Sequence, residues 1–270
     1  MPEVTSGVYR STNPIRNLAV LKGRMSKSSA SKISGKNTSS TDWLRRQLAD
    51  PFVQGAIAQG YRSRAAFKLI QMNEKKKLLK PGEDLVIDLG STPGGWTQVA
   101  TKEVNSVGAE GKPKGVVISV DIQGKRSLHH QDVIEDFVAH NLLEMTQVNG
   151  ATFIQGDFMD EPIQKKIIAK LEGKKADVIL SDMASSATGD HKIDHLRIMN
   201  LLESVSMFSE THLREGGTLL MKTLQGGSEK EFIKGLSTKF SSVKYAKPEA
   251  SRESSSEVYL LAESHRPIKK

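Results

Sequence analysis

Short apolar runs alternate with stretches of helix-like apolar spacing from about residue 84 to the C-terminus. Buried strands have such runs, and amphipathic helices have apolar residues three or four positions apart. The pattern predicts strands at 84–88, 115–120, 151–155, 176–181, 217–222, 241–246 and 257–263. It predicts helices near 94–105, 131–146, 160–171, 193–214 and 227–239. This alternation is typical of an α/β domain with a mostly parallel sheet and helices on both faces.

The two ends of this pattern carry further predictions. The last two strands are separated by about ten residues, fewer than a parallel crossover needs, which favours an antiparallel pair. Before the sheet, residues 41–60 predict one or two short helices, with Asp42 as a cap and Pro51 starting the second. Ser63 is predicted to cap the next helix, which would end at 80–82. The stretch 101–150 is longer than one helix and one strand require, which indicates an insertion.

Composition separates the N-terminal segment from the rest of the chain. Residues 1–41 are rich in Ser, Lys and Arg, and residues 1–40 carry seven basic groups against one acid, +6 of the total charge of +8. We expect 1–41 to be disordered, followed by one domain at 42–270. The segment suits either a mitochondrial targeting peptide, which we favour, or a basic arm that touches RNA phosphates. A mitochondrial matrix location is therefore expected, with cytoplasm or nucleus as alternatives.

Two other features narrow the class of protein. The chain has no cysteine, which excludes disulfides and thiolate metal sites. No apolar run approaches the roughly 18–20 residues that span a bilayer, so no membrane span is expected. Nothing in the sequence indicates an oligomeric state.

The segment VIDLGSTPGGW at 86–96 predicts a ligand site at the end of a strand. Gly94 and Gly95 would open a helix, whose N-terminal N–H groups and close backbone approach suit a nucleotide-like ligand. Two further predicted strands lead into Asp121 and Asp157, placed to meet ribose hydroxyls and an adenine edge. A hydride-transfer enzyme stays open on these residues alone, although the turn lacks a regular G-x-G-x-x-G spacing.

Four more charged residues lie at predicted element ends or on a helix: Lys68, Asp182, Lys222 and Glu257. Lys222 ends the apolar run TLLMK, an unusual place for a lysine. The other three have ordinary structural explanations, as a solvent-facing helix residue (Lys68), a helix cap (Asp182) and an edge charge (Glu257).

Five blocks, in order, resemble the FtsJ/RrmJ family of ribose 2′-O-methyltransferases: SRAAFKL, DLGSTPGGW, ADVILSDMA, GGTLLMKT and KPEASRESSSEVYLLA. The resemblance runs from about Trp43 to Ser264. The last block, the opening WLRRQLADPF and the longer middle segment are most similar to the mitochondrial large-subunit rRNA uridine branch. The chain departs from the family at Ser91 and Thr92, where two small apolar residues are usual.

The resemblance implies the fold of class I (Rossmann-like) S-adenosylmethionine-dependent methyltransferases, with a seven-stranded, mostly parallel sheet. It also implies methylation of a uridine ribose in large-subunit rRNA, as free RNA or in a pre-ribosomal particle. The catalytic tetrad of the family falls on Lys68, Asp182, Lys222 and Glu257. The implied S-adenosylmethionine contacts are Gly94, Gly95, Trp96, Asp121, Asp157 and Asp182.

This set of residues suits removal of a proton from a ribose hydroxyl. An amine accepts a proton only when neutral, and burial or a second cation nearby disfavours its charged form. We therefore interpret Lys222 as the base and Lys68 as its neighbour. Asp182 would orient the amine, and Glu257 would hold Lys68 or the substrate.

The remaining predictions concern metals and substrate. His191 and His195, with Asp190 and Asp194, have spacing that suits a cation, but methyl transfer needs no metal and none is expected. A phosphate-lined approach for RNA is expected from two cations before Lys68 and two in the C-terminal loop, namely Arg62, Arg64, Lys247 and Arg252. Lys75–Lys77 are a further candidate for phosphate contact. Alternatives are a tRNA ribose methyltransferase, a ribosome-assembly factor that only binds pre-ribosomal RNA, and a methyltransferase for protein or small molecules.

Overall fold

The structure is a computed structural model that describes residues 49–82, 84–109, 113–123, 144–185, 188–224, 229–253 and 255–267. The chain divides into two compact units, 1–55 and 56–270. Of the first unit only 49–55 are described, so Asp42 and the predicted disordered segment lie outside the described residues. None of the helices in these ranges is both long and apolar enough to cross a membrane.

The centre of the larger unit is a seven-stranded sheet. Its strands in chain order are β1 (Leu85–Leu89), β2 (Val116–Asp121), β3 (Ala151–Gln155), β4 (Ala176–Ser181), β5 (Leu213–Leu224), β6 (Phe240–Ala246) and β7 (Glu257–His265). Their order across the sheet is β3-β2-β1-β4-β5-β7-β6. The first five strands pair in parallel, whereas β7 pairs antiparallel with both β5 and β6. The predicted strands are confirmed apart from the start of β5, and the antiparallel final pair is confirmed.

Helices cover both faces of the sheet, as predicted. The helices of the described residues are α1 (Pro51–Gln59), α2 (Ala66–Lys76), α3 (Gly95–Glu103), α4 (Glu161–Leu171), α5 (His191–His212) and α6 (Glu229–Lys239), with a 3₁₀ turn (Met145–Gln147). Successive side chains of a strand point to opposite faces. Val86 accordingly belongs to the apolar cluster that includes α2 and α3, whereas its neighbour Ile87 belongs to the cluster that includes α4, α5 and α6. Two apolar layers therefore fix the helices against the sheet.

The α2 boundaries differ from the prediction at both ends. Ser63 does not cap the helix: α2 begins at Ala66, and Ala65 at the cap position makes no side-chain capping bond. The Ser63 hydroxyl is instead buried. The helix ends at Lys76 because Lys77 adopts a left-handed conformation, and the side chain of Asn73 then accepts the N–H of Leu79. The apolar residues after Lys77 belong to a turn and not to the helix.

Two other predictions are confirmed only in part. Strand β5 begins at Leu213, four residues before the predicted start, and its pairing with β4 shifts register between Ala176 and Val178. The helix predicted near 131–146 lies mostly outside the described residues. Within 144–150 the structure places the 3₁₀ turn that leads into β3.

Candidate active site

Four side chains from separate elements meet at one edge of the sheet. Nζ of Lys222, on β5, lies 3.2 Å from Oδ1 of Asp182, directly after β4. The same nitrogen lies 4.0 Å from Oε1 of Glu257, the first residue of β7. Nζ of Lys68, on α2, lies 3.3 Å from Oε2 of that glutamate. The four predicted catalytic residues thus form one continuous chain of ion pairs, in which Glu257 bridges two amines.

The local structure explains how these groups come together. Strands β4, β5 and β7 are neighbours in the sheet, so their ends lie side by side. The Asp182 N–H donates to the Leu89 carbonyl, which ties the end of β4 to the end of β1. The Lys222 side chain is only 9% exposed, and its amine also donates to the Asp182 carbonyl at 2.6 Å. Each amine is thus held by fixed oxygen atoms in a site largely closed to solvent.

The Glu257 carboxyl is kept ionised by its surroundings. Burial alone would raise its pKa, but the charges of Lys68 and Lys222, with hydrogen bonds from Lys68 and Ser255, outweigh burial and lower the pKa below its ordinary value. Because a carboxylate with two cationic partners strongly favours the charged form, Glu257 stays an acceptor at neutral pH.

Tyr259 joins this cluster, although the sequence reasoning did not select it. Its hydroxyl donates to Oδ1 of Asp182 at 2.8 Å, and it is the cross-strand partner of Lys222. The ring lies 5.7 Å from Nζ of Lys68, and burial and the nearby Asp182 raise the pKa of the phenol well above its ordinary value. Tyr259 therefore stays protonated and orients Asp182. Its position two residues after Glu257, hence on the same face of β7, was the available signal.

The predicted glycine turn has the conformation that a ligand site needs. Gly94 precedes α3 with a φ of 109°, and a Cβ there would come within 2.9 Å of Cδ of Arg62. A Cβ on Gly95 would overlap the Ser63 hydroxyl. Gly94 is thus required by backbone conformation and close packing, and Gly95 by its contact with the segment that leads into α2.

The side chain of Trp96 lies in the core. Its indole Nε1 donates to the Ala65 carbonyl at 2.9 Å, its ring packs 5.5 Å from that of Tyr259, and it is 3% exposed. The buried Trp96 ring therefore connects the glycine turn to Tyr259 of the cluster. The indole thus has a packing role, and the predicted S-adenosylmethionine contact of Trp96 stays a prediction.

Asp121 and Asp157 lie at the ends of β2 and β3, as predicted. Asp121 accepts from the N–H of Thr92 at 2.9 Å and from that of Gln123 at 2.8 Å, and Asp157 accepts from the N–H of Met159. The Thr92 hydroxyl also donates to the Gln123 carbonyl. Thr92, which stands where the family usually has a small apolar residue, therefore ties the glycine turn to the segment directly after β2.

Asp88 lies on β1 beneath this turn. It is fully buried, and burial raises the pKa of its carboxyl to about 7. A hydrogen bond from Thr97 lowers this pKa, whereas the charges of Asp182 and Asp121 raise it further. Among the described residues, its Oδ1 and the hydroxyls of Ser63 and Ser91 have no hydrogen-bond partner. Buried polar groups without partners mark a place where a ligand can supply them. Three such atoms around the turn fit a polar, nucleotide-like ligand.

The histidine loop is organised by its own carboxylates. Asp190 caps α5 by accepting from the N–H groups of Lys192 and Ile193, and Asp194 accepts from the N–H and hydroxyl of Thr188. Within the described ranges there is no group of three or more His, Cys, Asp or Glu that could hold a metal ion.

The expected phosphate-lined approach needs correction at two residues. Arg62 is buried, and its guanidinium donates to the carbonyls of Pro93 and Glu144. Arg64 donates to the Ala250 carbonyl at 2.6 Å. Both guanidinium groups therefore hold backbone in place, whereas Lys247 and Arg252 are exposed in the loop before β7 and stay candidates for phosphate contact.

Known methyltransferases resemble this chain over most of its length. Residues 61–265 match the family model of the FtsJ-like methyltransferases. A Zymomonas mobilis protein named Ribosomal RNA large subunit methyltransferase E is 43% identical over 231 residues, 86% of this chain and 91% of the relative. A Bradyrhizobium diazoefficiens protein of that name is 45% identical over 224 residues, 83% of this chain and 87% of the relative.

A solved structure described as a putative ribosomal RNA methyltransferase, from Plasmodium falciparum, superimposes with a TM-score of 0.59 at 27% identity. The match covers 76% of this chain and 98% of that one. The sheet is therefore that of the class I methyltransferases, as predicted. On its sequence and on its fold, the chain belongs to the FtsJ-like methyltransferase family.

Proposed function

We propose that the protein methylates the 2′-hydroxyl of a uridine ribose in large-subunit rRNA, with S-adenosylmethionine as the methyl donor. The observation that carries the proposal is the ion-pair chain from Lys68 through Glu257 to Lys222 and Asp182, at the sheet edge where the glycine turn also lies. The two bacterial relatives support rRNA as substrate, because both are named for the large ribosomal subunit.

The residues around the glycine turn would hold the donor. Backbone N–H groups at the start of α3 suit its carboxylate, and Asp121 and Asp157 suit the ribose hydroxyls and the adenine edge. Asp182 would contact the methyl donor and would also orient the Lys222 amine that prepares the acceptor. Bound there, S-adenosylmethionine supplies a methyl carbon made electrophilic by the adjacent sulfonium.

The chain's own residues would prepare the acceptor. Lys222 removes the proton of the 2′-hydroxyl, while Asp182 and Glu257 hold the lysine amine in position. Lys68 shares Glu257 with Lys222 and so helps to fix the carboxylate that holds the base. The remaining contribution is positioning, since in-line transfer depends on close alignment of the reacting atoms.

Lys222→Ala tests the base assignment. Labelled S-adenosylmethionine is supplied with large-subunit rRNA and with ribosomal particles, and the methylated ribose is mapped by reverse transcription at low nucleotide concentration. Removing the base should lower kcat by a factor on the order of 10²–10⁴ and leave donor affinity, measured by calorimetry, nearly unchanged. Lys165→Ala is the matched control, because Lys165 lies on the surface of α4 and pairs with Glu161.

The outcomes separate the alternatives. Wild-type turnover in Lys222→Ala would exclude Lys222 as the base. Donor binding without transfer to any rRNA, but with transfer to tRNA, would move the substrate to tRNA. Donor and RNA binding without transfer to either would favour an assembly role.

A location in the mitochondrial matrix, and hence a mitochondrial rRNA, is the finer part of the proposal. It rests on the basic, Ser-rich composition of residues 1–41. The Zymomonas and Bradyrhizobium relatives are bacterial and lend it no support. It stays a prediction, with cytosolic or nuclear rRNA as the alternatives.

A further inference from the structure

Arg64 and one face of α2 contact the connection between β6 and β7 at Glu249, Ala250 and Glu257. Arg64, just before the helix, and Lys68, Gln71 and Lys75 within it are spaced by four, three and four residues, which places them in one stripe. Lys68 pairs with Glu257, where the connection ends, and Lys75 pairs with Glu249 at 3.8 Å. Arg64 and Gln71 both bind Ala250.

The Ala250 backbone is held at both of its polar groups. Its N–H donates to Oε1 of Gln71 at 2.9 Å, and its carbonyl accepts from Nη2 of Arg64 at 2.6 Å. Ala250 is fully buried and Gln71 is 7% exposed. A buried backbone N–H that loses its partner is destabilising, so the connection cannot leave this position without a penalty.

We infer that Gln71 is a positioning residue for methyl transfer, which fixes the β6–β7 connection against α2 and so sets the Lys68–Glu257 pair. In the described part of the chain Gln71 makes no hydrogen bond or ion pair with the four catalytic candidates, so it acts through Ala250. Glu257 begins β7 and reaches back to Lys68 on the same helix face. Glu257 also touches Lys222, so a displaced connection would disturb both lysines.

The inference rests on the proposed function, because the catalytic roles of the two lysines are part of that proposal. Gln71→Met removes the acceptor and keeps the length of the side chain, whereas Gln71→Glu keeps an acceptor oxygen at the same distance from the backbone. Asn73→Leu is the matched control. Asn73 is also a buried amide of α2 and accepts the N–H of Leu79, but it faces Glu103 and not the connection.

The experiment compares full-length wild type with these three variants. It measures kcat, the KM for rRNA, the Kd for S-adenosylmethionine and hydrogen exchange at the Ala250 amide. Gln71→Met should lower kcat by roughly tenfold to a hundredfold, the cost of misplaced reacting groups, and should speed exchange at Ala250. The donor Kd should stay near that of wild type. Gln71→Glu should restore most of kcat, and Asn73→Leu should lower stability without lowering kcat.

Each other result overturns the inference. Faster Ala250 exchange with unchanged kcat would mean that the hold is structural only. Equal losses of kcat and donor affinity in Gln71→Met would mean a general disruption. A loss of kcat in Asn73→Leu as large as in Gln71→Met would show that any buried amide of α2 has this effect. Failure of the proposed function looks different, because wild type would then transfer no methyl group to rRNA.

Discussion

Among single residues, Asp88 leads to a prediction about pH, because its carboxyl group is buried beneath the glycine turn. Burial raises its pKa from 3.8 to about 7, so the folded protein holds a proton that the unfolded chain releases near pH 4. Stability should therefore fall as the pH rises from about 4 to about 7 and then level off. The loss should be roughly 2–4 kcal/mol. Urea denaturation at pH 5 and pH 8 measures it.

Asp88→Asn is the control, because an amide keeps the shape and cannot ionise. This variant should lose the part of the pH dependence that Asp88 causes. The same slope in both proteins would show that Asp88 is ionised in the folded state throughout this range. The donor adds a second readout: its sulfonium favours an ionised neighbour, so donor affinity should rise with pH only in wild type.

Residue positions were predictable from the sequence, whereas side-chain directions were not. The predictions for Lys222 and Glu257 rest on charges at the ends of apolar strands, and the structure brings both together. Tyr259 was missed because a tyrosine in an apolar strand is typical of the core. Arg62 was misjudged for the opposite reason, since a cation beside the glycine turn suggests a phosphate ligand. Its partners, the carbonyls of Pro93 and Glu144, are visible only in the folded chain.

At the scale of elements, the packing of α2 on α3 depends on Gly95. A methyl group there would overlap the Ser63 hydroxyl and approach the Ala66 N–H to 3.2 Å. Gly95→Ala should therefore destabilise the protein by about 1–3 kcal/mol, the usual cost of overpacking. The free energy of unfolding in urea measures this.

Ser63→Ala provides the matched test, because it removes the oxygen that the new methyl group would meet. The double variant Gly95→Ala, Ser63→Ala should recover much of the stability lost in Gly95→Ala. Additive losses would show that the cost arises from the backbone of the turn and not from the Ser63 contact.

Strand positions were predictable to within a residue or two because buried runs end sharply at Gly or charged residues. The exception is the start of β5, where Arg-Glu-Gly-Gly at 214–217 resembles a turn yet continues the strand beside β4. Helix starts were harder, since Ser63 is a good capping residue by type. Its hydroxyl packs against Gly95 at the start of α3 instead, a contact between distant segments that no local pattern reveals.

At the scale of the whole molecule, the site exists because of strand order. Asp182, Lys222 and Glu257 are far apart in sequence but belong to the ends of β4, β5 and β7, which are neighbours in the sheet. The sequence predicted an antiparallel pair at the C-terminus but not that β7 lies between β5 and β6. That placement sets Tyr259 opposite Lys222. Strand order thus brings three scattered charges together, and Lys68 joins them from α2.

The charge of the whole chain leads to the last prediction. Seven cations in residues 1–40 account for most of the net charge, and we expect them to serve in targeting and not in RNA binding. Replacing all seven by Gln in the full-length protein should leave the salt dependence of rRNA affinity unchanged. Fused to a fluorescent reporter, the native residues 1–41 should direct it to mitochondria, and the Gln version should not. The seven residues are Arg10, Arg16, Lys22, Arg24, Lys27, Lys32 and Lys36.

The slope of log affinity against log salt separates the two roles of the segment. Each phosphate contact that is lost lowers the slope by about 0.7–0.9, so a basic arm that touches several phosphates would produce a clear decrease in the Gln variant. Such a decrease, with no import of the reporter, would contradict targeting and make the segment part of the RNA-binding surface. Substitution of Lys247 and Arg252 should lower the slope in either case. Both cations are exposed in the loop that leads to Glu257 of the candidate active site, where they can meet RNA phosphates.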